Sequence, residues 1–586
     1  MPPRYTVRCP QPERHEWRVV VDIDQPDNEG QRLRLPVWSP GSYLVREYAR
    51  LVTAVRAESA GQPVAVHKTD KHSWRCAPCN APLQVEFTLY AHDPSVRGAF
   101  VDDTRAFFNG PAILPWVEGQ TECPLSLTVE RPVDGWQVAT SMTPQAVDAD
   151  GFGTYTAADY EELIDHPFEL GTLAVVGFSA AGTPHRIAVS GAHSGDLERL
   201  SRDVQRICAW HIDLWGAPAP FAAYTFQLLV TRDGYGGLEH RASTSLIARR
   251  DHLPRRHGHD ATGYRGLLGL FSHEYFHSWL VKRIRPAEHA PCDLTQENLT
   301  TQLWLFEGFT SYYDDLALRR CGLTSVDDYL SDLGKTISRV HCEAGHRVQT
   351  LEESSLDAWI KYYRPDENTP NTVVSYYAKG ALVALALDLT LRSASGGACS
   401  LDHVMRALWQ QHGDTPIAPG EFEALAEAVS GQPLAAFFEA ALRSTEPLPL
   451  ERLLGTFGVR SSWEPEQISK PDGGPAADLG ARIDSRGPAM VRQVRPDAAA
   501  SRAGLAPGDE ILAVEGWRVD GESLRSVLAG FRPGQNVALL SSRDGRVRSS
   551  MLCLDAAPAK VCSLKIDPAA DATAAALRAG WLGETT

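Results

Sequence analysis

The spacing of apolar residues changes character part-way along the chain, and this limits the folds open to it more than any other feature. From Tyr5 to about residue 175, short runs alternate apolar and polar positions, as in Trp17-Arg-Val-Val-Val-Asp-Ile, Leu83-Gln-Val-Glu-Phe-Thr-Leu and Leu125-Ser-Leu-Thr-Val. A period of two, broken by Pro, Gly and Asp turns, predicts an all-β, sandwich-like domain. From about residue 176 two further strands are expected, at 186–189 and 224–231, with a helix near 196–215 between them. From roughly Thr262 to Leu442 the helical period takes over. A Pro- and Gly-rich stretch (Pro465, Pro471-Asp-Gly-Gly-Pro475) then leads to a unit of short strands and one helix, ending near Leu554, and to a polar, Ala-rich tail. One core cannot serve all 586 residues, because single domains mostly hold about 100–200.

Charge excludes some functions. With 57 Lys+Arg against 73 Asp+Glu, a formal net of -16, the surface field repels nucleic acid and anionic membrane, so neither is an expected partner. Met1-Pro-Pro-Arg-Tyr-Thr-Val-Arg lacks the apolar stretch of a secretion signal, and the best later stretch, 381–387, breaks at Asp388. A cytoplasmic location is the expectation. Eleven scattered cysteines do not make a disulfide scaffold, and Cys76 and Cys79 have no second pair at zinc-ribbon spacing.

The chemistry lies in His273-Glu274-Tyr275-Phe276-His277. Its helix is expected to start at Asp260 or Thr262, where a short polar side chain caps free N–H groups, and to end near Arg285, before Pro286. Residues four apart share a helix face, so His273 and His277 can offer two imidazole nitrogens to one ion, which suits Zn2+. Glu274 flanks that ion and reaches a bound water without ligating, the position of a general base. Leu267, Leu268, Leu270, Phe271, Phe276 and Trp279 make the helix a buried one, where polar side chains need partners. Three acids compete as third ligand. Glu288 is too close to Pro286 to return to the ion, and Glu297 stands at an apparent helix start. Glu307 is a lone carboxylate in Leu303-Trp-Leu-Phe-Glu-Gly-Phe-Thr-Ser-Tyr-Tyr, and is the choice. Asp314 and Asp315 fall on the face of Glu307 and could orient a ligating histidine.

HEYFHSWLVKRIRP followed by ENLTTQLWLFEGFTSYYDDL resembles the gluzincin aminopeptidases, and more closely the glycyl aminopeptidases of peptidase family M61. LWLFEG also resembles the LWLNEG of the M1 aminopeptidases, whose Glu is the third zinc ligand, and this favours Glu307. Gly236-Gly237-Leu238-Glu239-His240 resembles the G-x-M-E-N motif of the M1 enzymes, which implies that Glu239 binds the substrate's free amino terminus, with Gly236 and Gly237 beside it. Tyr377-Ala378-Lys379-Gly380 resembles their Y-E-K-G segment, which implies Tyr377 as donor to the oxyanion, with Tyr376 as rival. Leu35-Pro-Val-Trp-Ser-Pro-Gly-Ser-Tyr43 and Phe107-Phe-Asn-Gly110 look like M61 sequence. Ala503-Gly504-Leu505-Ala-Pro-Gly508-Asp509-Glu-Ile-Leu resembles a PDZ domain, whose carboxylate-binding loop would be Asp478-Leu479-Gly480-Ala481 in place of the usual G-L-G-F.

The resemblance implies a multidomain α+β protein: an N-terminal β-sandwich-like domain (1–175), a thermolysin-like α/β plus helical catalytic domain (176–460), a PDZ domain (461–556) and a C-terminal tail (557–586). It implies one zinc ion, removal of an N-terminal Gly or Ala from peptides, and a peptide C-terminus as a partner at the PDZ domain. Two rivals stand beside this reading. One is a catalytically degenerate zincin scaffold that binds through its PDZ unit; the other is a zinc endopeptidase, for which Glu239 has no role.

Overall fold

The computed structural model describes residues 2–257, 263–465 and 476–584; the expected helix caps Asp260 and Thr262 lie outside them. The architecture is the expected multidomain α+β one, with a β-rich N-terminal region, a mixed and then helical middle, and a small β unit near the C-terminus. Two compact units make up the chain: Met1–Thr300 with Tyr313–Thr324 and Asp402–Leu425, and Thr301–Tyr312 with Ser325–Leu401 and Ala426–Thr586.

In the first unit, the period-two runs become strands of an eight-stranded sheet with Arg4–Arg8, Glu16–Ile23 and Leu83–Tyr90 side by side. Two four-stranded sheets complete the N-terminal domain, and Trp17, Val19, Val21, Phe87 and Leu127 lie in its core at full burial. Each such side chain stabilises the fold by about 1.5–3 kcal/mol. A five-stranded sheet follows, in the order Ala174–Ala180, Thr183–Ser190, Tyr224–Thr231, Ser243–Arg249, Gly236–Glu239. Thr183–Ser190 and Tyr224–Thr231 run parallel, joined by the helix Leu197–Trp215, which Asp196 caps by accepting from Arg199 N. Ala174–Ala180 and the last two strands have no counterpart in the sequence reading. Gly236–Glu239 is an edge strand antiparallel to Ser243–Arg249.

In the second unit, the segment Thr369–Ser395, which contains the helix Tyr376–Ser395, is long and apolar enough to cross a membrane, yet 83% of its apolar window is buried. Its break, Asp388, accepts from Tyr312 Oη (2.7 Å), Arg392 Nε (3.0 Å) and Leu401 N (2.8 Å), the satisfied network that a buried charge in a core helix requires. The C-terminal β unit has its own core, including Val491, Ile511, Val537 and Leu552. Residues expected as a polar tail instead form the strand Ala559–Ile566, paired with Val459–Pro465, and the helix Ala572–Leu582. The anchor is Trp581, fully buried with Nε1 donating to Tyr312 Oη at 3.2 Å.

Candidate metal and substrate site

The motif helix runs over Gly263–Phe276 and stops well short of Arg285. Ser278 N and Trp279 N bond back only three residues, to Tyr275 O and Phe276 O, and Val281 takes φ 95°, which a helix cannot propagate. Arg283 Nη1 then donates to Ser278 O at 2.6 Å, satisfying a carbonyl the ended helix exposes. Pro286 is therefore not what terminates it. His277 N still bonds to His273 O (3.4 Å), so the two histidines remain one turn apart, with ring centroids 4.7 Å apart and planes at 87°.

Both rings have Nδ1 turned to an acceptor: Asp314 Oδ2 at 2.9 Å for His273, and Leu280 O at 3.1 Å for His277. An Nδ1 facing such oxygens carries the proton, so Nε2 is the basic nitrogen of each ring, the tautomer a ligating imidazole needs. Burial raises the Asp314 carboxyl above its ordinary value, and the bond from His273 pulls it back. The helix is fixed from behind: His211 Nε2 pairs with Ser272 Oγ at 2.8 Å, and Ser272 Oγ with Asp314 O at 3.0 Å.

Glu274 is 5% exposed, and a Cβ on Gly237 would overlap its Oε1, so the strand passes the acid at a distance only glycine allows. Glu239, on the same strand, is 4% exposed, and its Oε1 has no hydrogen-bond partner among the described residues. Ligand atoms of Glu239, Glu274 and His277 lie within 4.8 Å of one another. Two acids crowded beside an imidazole, one with an unsatisfied oxygen, call for a cation.

Next to Glu239, His240 Nδ1 (3.1 Å), Lys282 Nζ (2.6 Å) and Arg241 N (2.9 Å) all meet the carboxylate of Asp165. Burial alone would raise the Asp165 carboxyl, but Lys282 and His240 override it and hold it far below its usual range.

In the second unit Glu307 is 2% exposed and follows the short helix Leu303–Phe306, with Gly308–Arg320 continuing at once. Asp314 comes seven residues later, two turns along that helical run and so on the same face. Glu288 and Glu297 are exposed and outside any α-helix. Gly308 and Gly380 allow two helices to cross closely: a Cβ on Gly380 would stand 2.7 Å from Trp304 O. That crossing brings Tyr377 into the field of Glu307. Burial first, then the Glu307 charge, push the Tyr377 hydroxyl well above its ordinary pKa, so it stays a donor at neutral pH. Its Oη lies 3.0 Å from Tyr363 Oη, a partner that sequence gave no hint of; Tyr376 is fully buried.

Residues 4–172 match the peptidase M61 N-terminal domain, 266–383 the M61 glycyl aminopeptidase, and 477–552 a PDZ domain. A solved aminopeptidase N family protein from Idiomarina loihiensis is 34% identical over 99% of this chain and 100% of its own, with a TM-score of 0.94. The chain belongs to the M61 glycyl aminopeptidase family. It is thus a metallo-aminopeptidase with a PDZ domain. The M61 catalytic match spans His273, Glu274, His277, Glu307 and Tyr377, whereas Gly236, Gly237 and Glu239 fall between the two M61 segments. An M1 zinc metallopeptidase from Deinococcus radiodurans is 15% identical over 76% of this chain and 95% of its own, with a TM-score of 0.47. No curated protein matches the chain in sequence.

Proposed function

We propose that this M61 chain is a zinc aminopeptidase that removes a small N-terminal residue, Gly or Ala, from peptides. The observation that carries it is the buried carboxylate of Glu239, one oxygen unsatisfied, within 4.8 Å of Glu274 and His277. A free ammonium is the cation that would satisfy it, and only the first residue of a peptide offers one.

His273 and His277, each through Nε2, and Glu307 are the ligands in this reading. Support comes from the two imidazole tautomers and from the helical run that carries both Glu307 and Asp314, the residue bonded to His273. Zinc there would supply Lewis acidity, polarising the scissile carbonyl and lowering the pKa of water. Glu274 accepts the water's proton and delivers it to the leaving amine. Tyr377 donates to the oxyanion as the tetrahedral species forms. Glu239 pairs with the substrate ammonium and so sets the register of cleavage at the first peptide bond. The preference for Gly and Ala rests on the family alone. At the PDZ domain, a groove of roughly 530 Å³ between the edge strand Ala481–Ile483 and Leu524 and Leu528 is the reading's place for a peptide C-terminus.

The test compares Gly-, Ala- and Leu-p-nitroanilide with acetylated Ala-p-nitroanilide on the zinc-loaded chain. Leaving Glu239 buried and unpaired costs several kcal/mol, about 3–5 by analogy with broken buried pairs, so the acetylated substrate should lose at least about 10² in kcat/KM. Equal cleavage of blocked and free substrates would end the aminopeptidase reading.

A further inference from the structure

The strand that carries Glu239 is held from outside its own sheet. Arg97 Nη2 donates to Gly237 O at 2.9 Å, and Asp165 takes His240 Nδ1 and Arg241 N. The third hold is on the carboxylate itself: Gly41, at φ 91°, packs so close that an added Cβ would overlap Glu239 Oε1, Cδ and Oε2. All three residues belong to the N-terminal β domain. The turn and Arg97 are also linked, since the Tyr48 hydroxyl bonds both Ser39 Oγ (2.6 Å) and Arg97 O (2.7 Å), and Asn109 Nδ2 donates to Ser39 Oγ at 3.2 Å.

We propose that the Ser39-Pro40-Gly41 turn of the N-terminal domain is a positioning device for the ammonium-binding acid, with Gly41 as its critical residue. Glu239 and Glu274 are like charges within 4.8 Å of each other, and an unrestrained Glu239 would turn away. The bare backbone of Gly41 fills the space into which the carboxylate would relax, keeping it beside Glu274 and His277. Any side chain at 41 displaces it. The N-terminal domain thereby completes the first-residue pocket instead of merely flanking it. This inference rests on the aminopeptidase reading of Glu239.

Steady-state kinetics of the full zinc-loaded chain on Gly-p-nitroanilide test it. Gly41→Ala should raise KM tenfold or more with kcat within threefold, because ammonium binding suffers while water activation does not. Gly61→Ala introduces a comparable backbone strain, at φ 73° with nothing within 4 Å, and should leave KM within twofold. Adding Glu239→Asp to Gly41→Ala withdraws the carboxylate by one methylene and should recover at least threefold in kcat/KM over Gly41→Ala alone. If Gly41→Ala does not fold, Tyr48→Phe, which removes only the hydroxyl link, should raise KM at least threefold. An unchanged KM in the folded Gly41→Ala or in Tyr48→Phe overturns the inference, as does a double variant no better than the product of its singles. Wild type that prefers free over acetylated substrate while Gly41→Ala behaves like wild type overturns this inference alone. Wild type without that preference overturns both.

Discussion

The helix carrying Glu274 and the strand carrying Glu239 bring two acids within 4.8 Å of each other by opposite means. The helix does so locally. His273, Glu274 and His277 are set by one turn of backbone, and the buried side chains of Leu267, Leu268, Leu270, Phe271 and Phe276 fix the face of that helix. The strand has four residues, two of them glycine, and no apolar period of its own. Beyond its pairing with Ser243–Arg249, it is held by Gly41, Arg97 and Asp165, which are far away in sequence. A site written into the period of one element survives changes elsewhere; a site moulded by distant loops is tuned by them.

The sharpest way to break this contrast is to neutralise each acid without changing its shape. Glu274→Gln should lower kcat by about 10³ with zinc retained, since it removes the proton acceptor and no ligand. Glu239→Gln should instead raise KM for Gly-p-nitroanilide by about 10–10², with kcat less affected, because the lost partner is the substrate's ground-state ammonium. Kinetics and metal analysis on the same preparations check both. Equal losses in kcat would mean the two acids act as one unit and the contrast is false.

What could be read from the sequence follows the same division. The β-rich start, the helical middle and the C-terminal β unit were legible because strand and helix periods persist over many residues. Within the motif helix the face was legible but not the end: Pro286 looked like the terminator, while Val281 and the reach of Arg283 to Ser278 O are tertiary. Asp314 could be picked out as a partner for a ligating histidine because it shares a helix face with Glu307. Tyr363, Arg97 and Asp165 could not, since nothing in their neighbourhoods marks them, and the M61-like stretch Leu35–Tyr43 that holds Gly41 does not say what Gly41 touches; only folding brings them to Tyr377 or to the Glu239 strand. The tail was misjudged on composition, where one Trp outweighs a run of alanines.

A smaller effect sharpens the contrast on the helix Tyr376–Ser395, where two adjacent tyrosines compete for one role. Tyr377→Phe should lower kcat by about 10² with little change in KM, the signature of a donor engaged at the transition state. Tyr376→Phe, fully buried and stacked on Tyr377 with centroids 4.8 Å apart, should cost less than about threefold. The reverse ranking would transfer the role and show that the crossing at Gly308 and Gly380 does not select Tyr377.

The smallest expected effect on activity belongs to Lys379, which sits in the same motif-like stretch without a place in the chemistry. It is 3% exposed, Nζ has no hydrogen-bond partner among the described residues, and burial pushes its ammonium down to about 8. Between pH 8 and 10.5 the unfolded chain holds a proton that the folded chain has released. Stability therefore rises with pH across that window, and the burial penalty is fully present below it. Lys379→Met keeps an apolar stem and removes the ammonium. At pH 7 it should raise Tm by about 2–4 °C, with kcat/KM within about twofold. At pH 10.5 most of that gain should vanish, because the wild-type amine is already neutral in the folded protein. Thermal melts of both proteins at the two pH values decide the matter. A gain of equal size at both would mean that packing, not charge, governs Lys379; a loss of activity would mean that a residue read as a passenger of the motif serves the site after all.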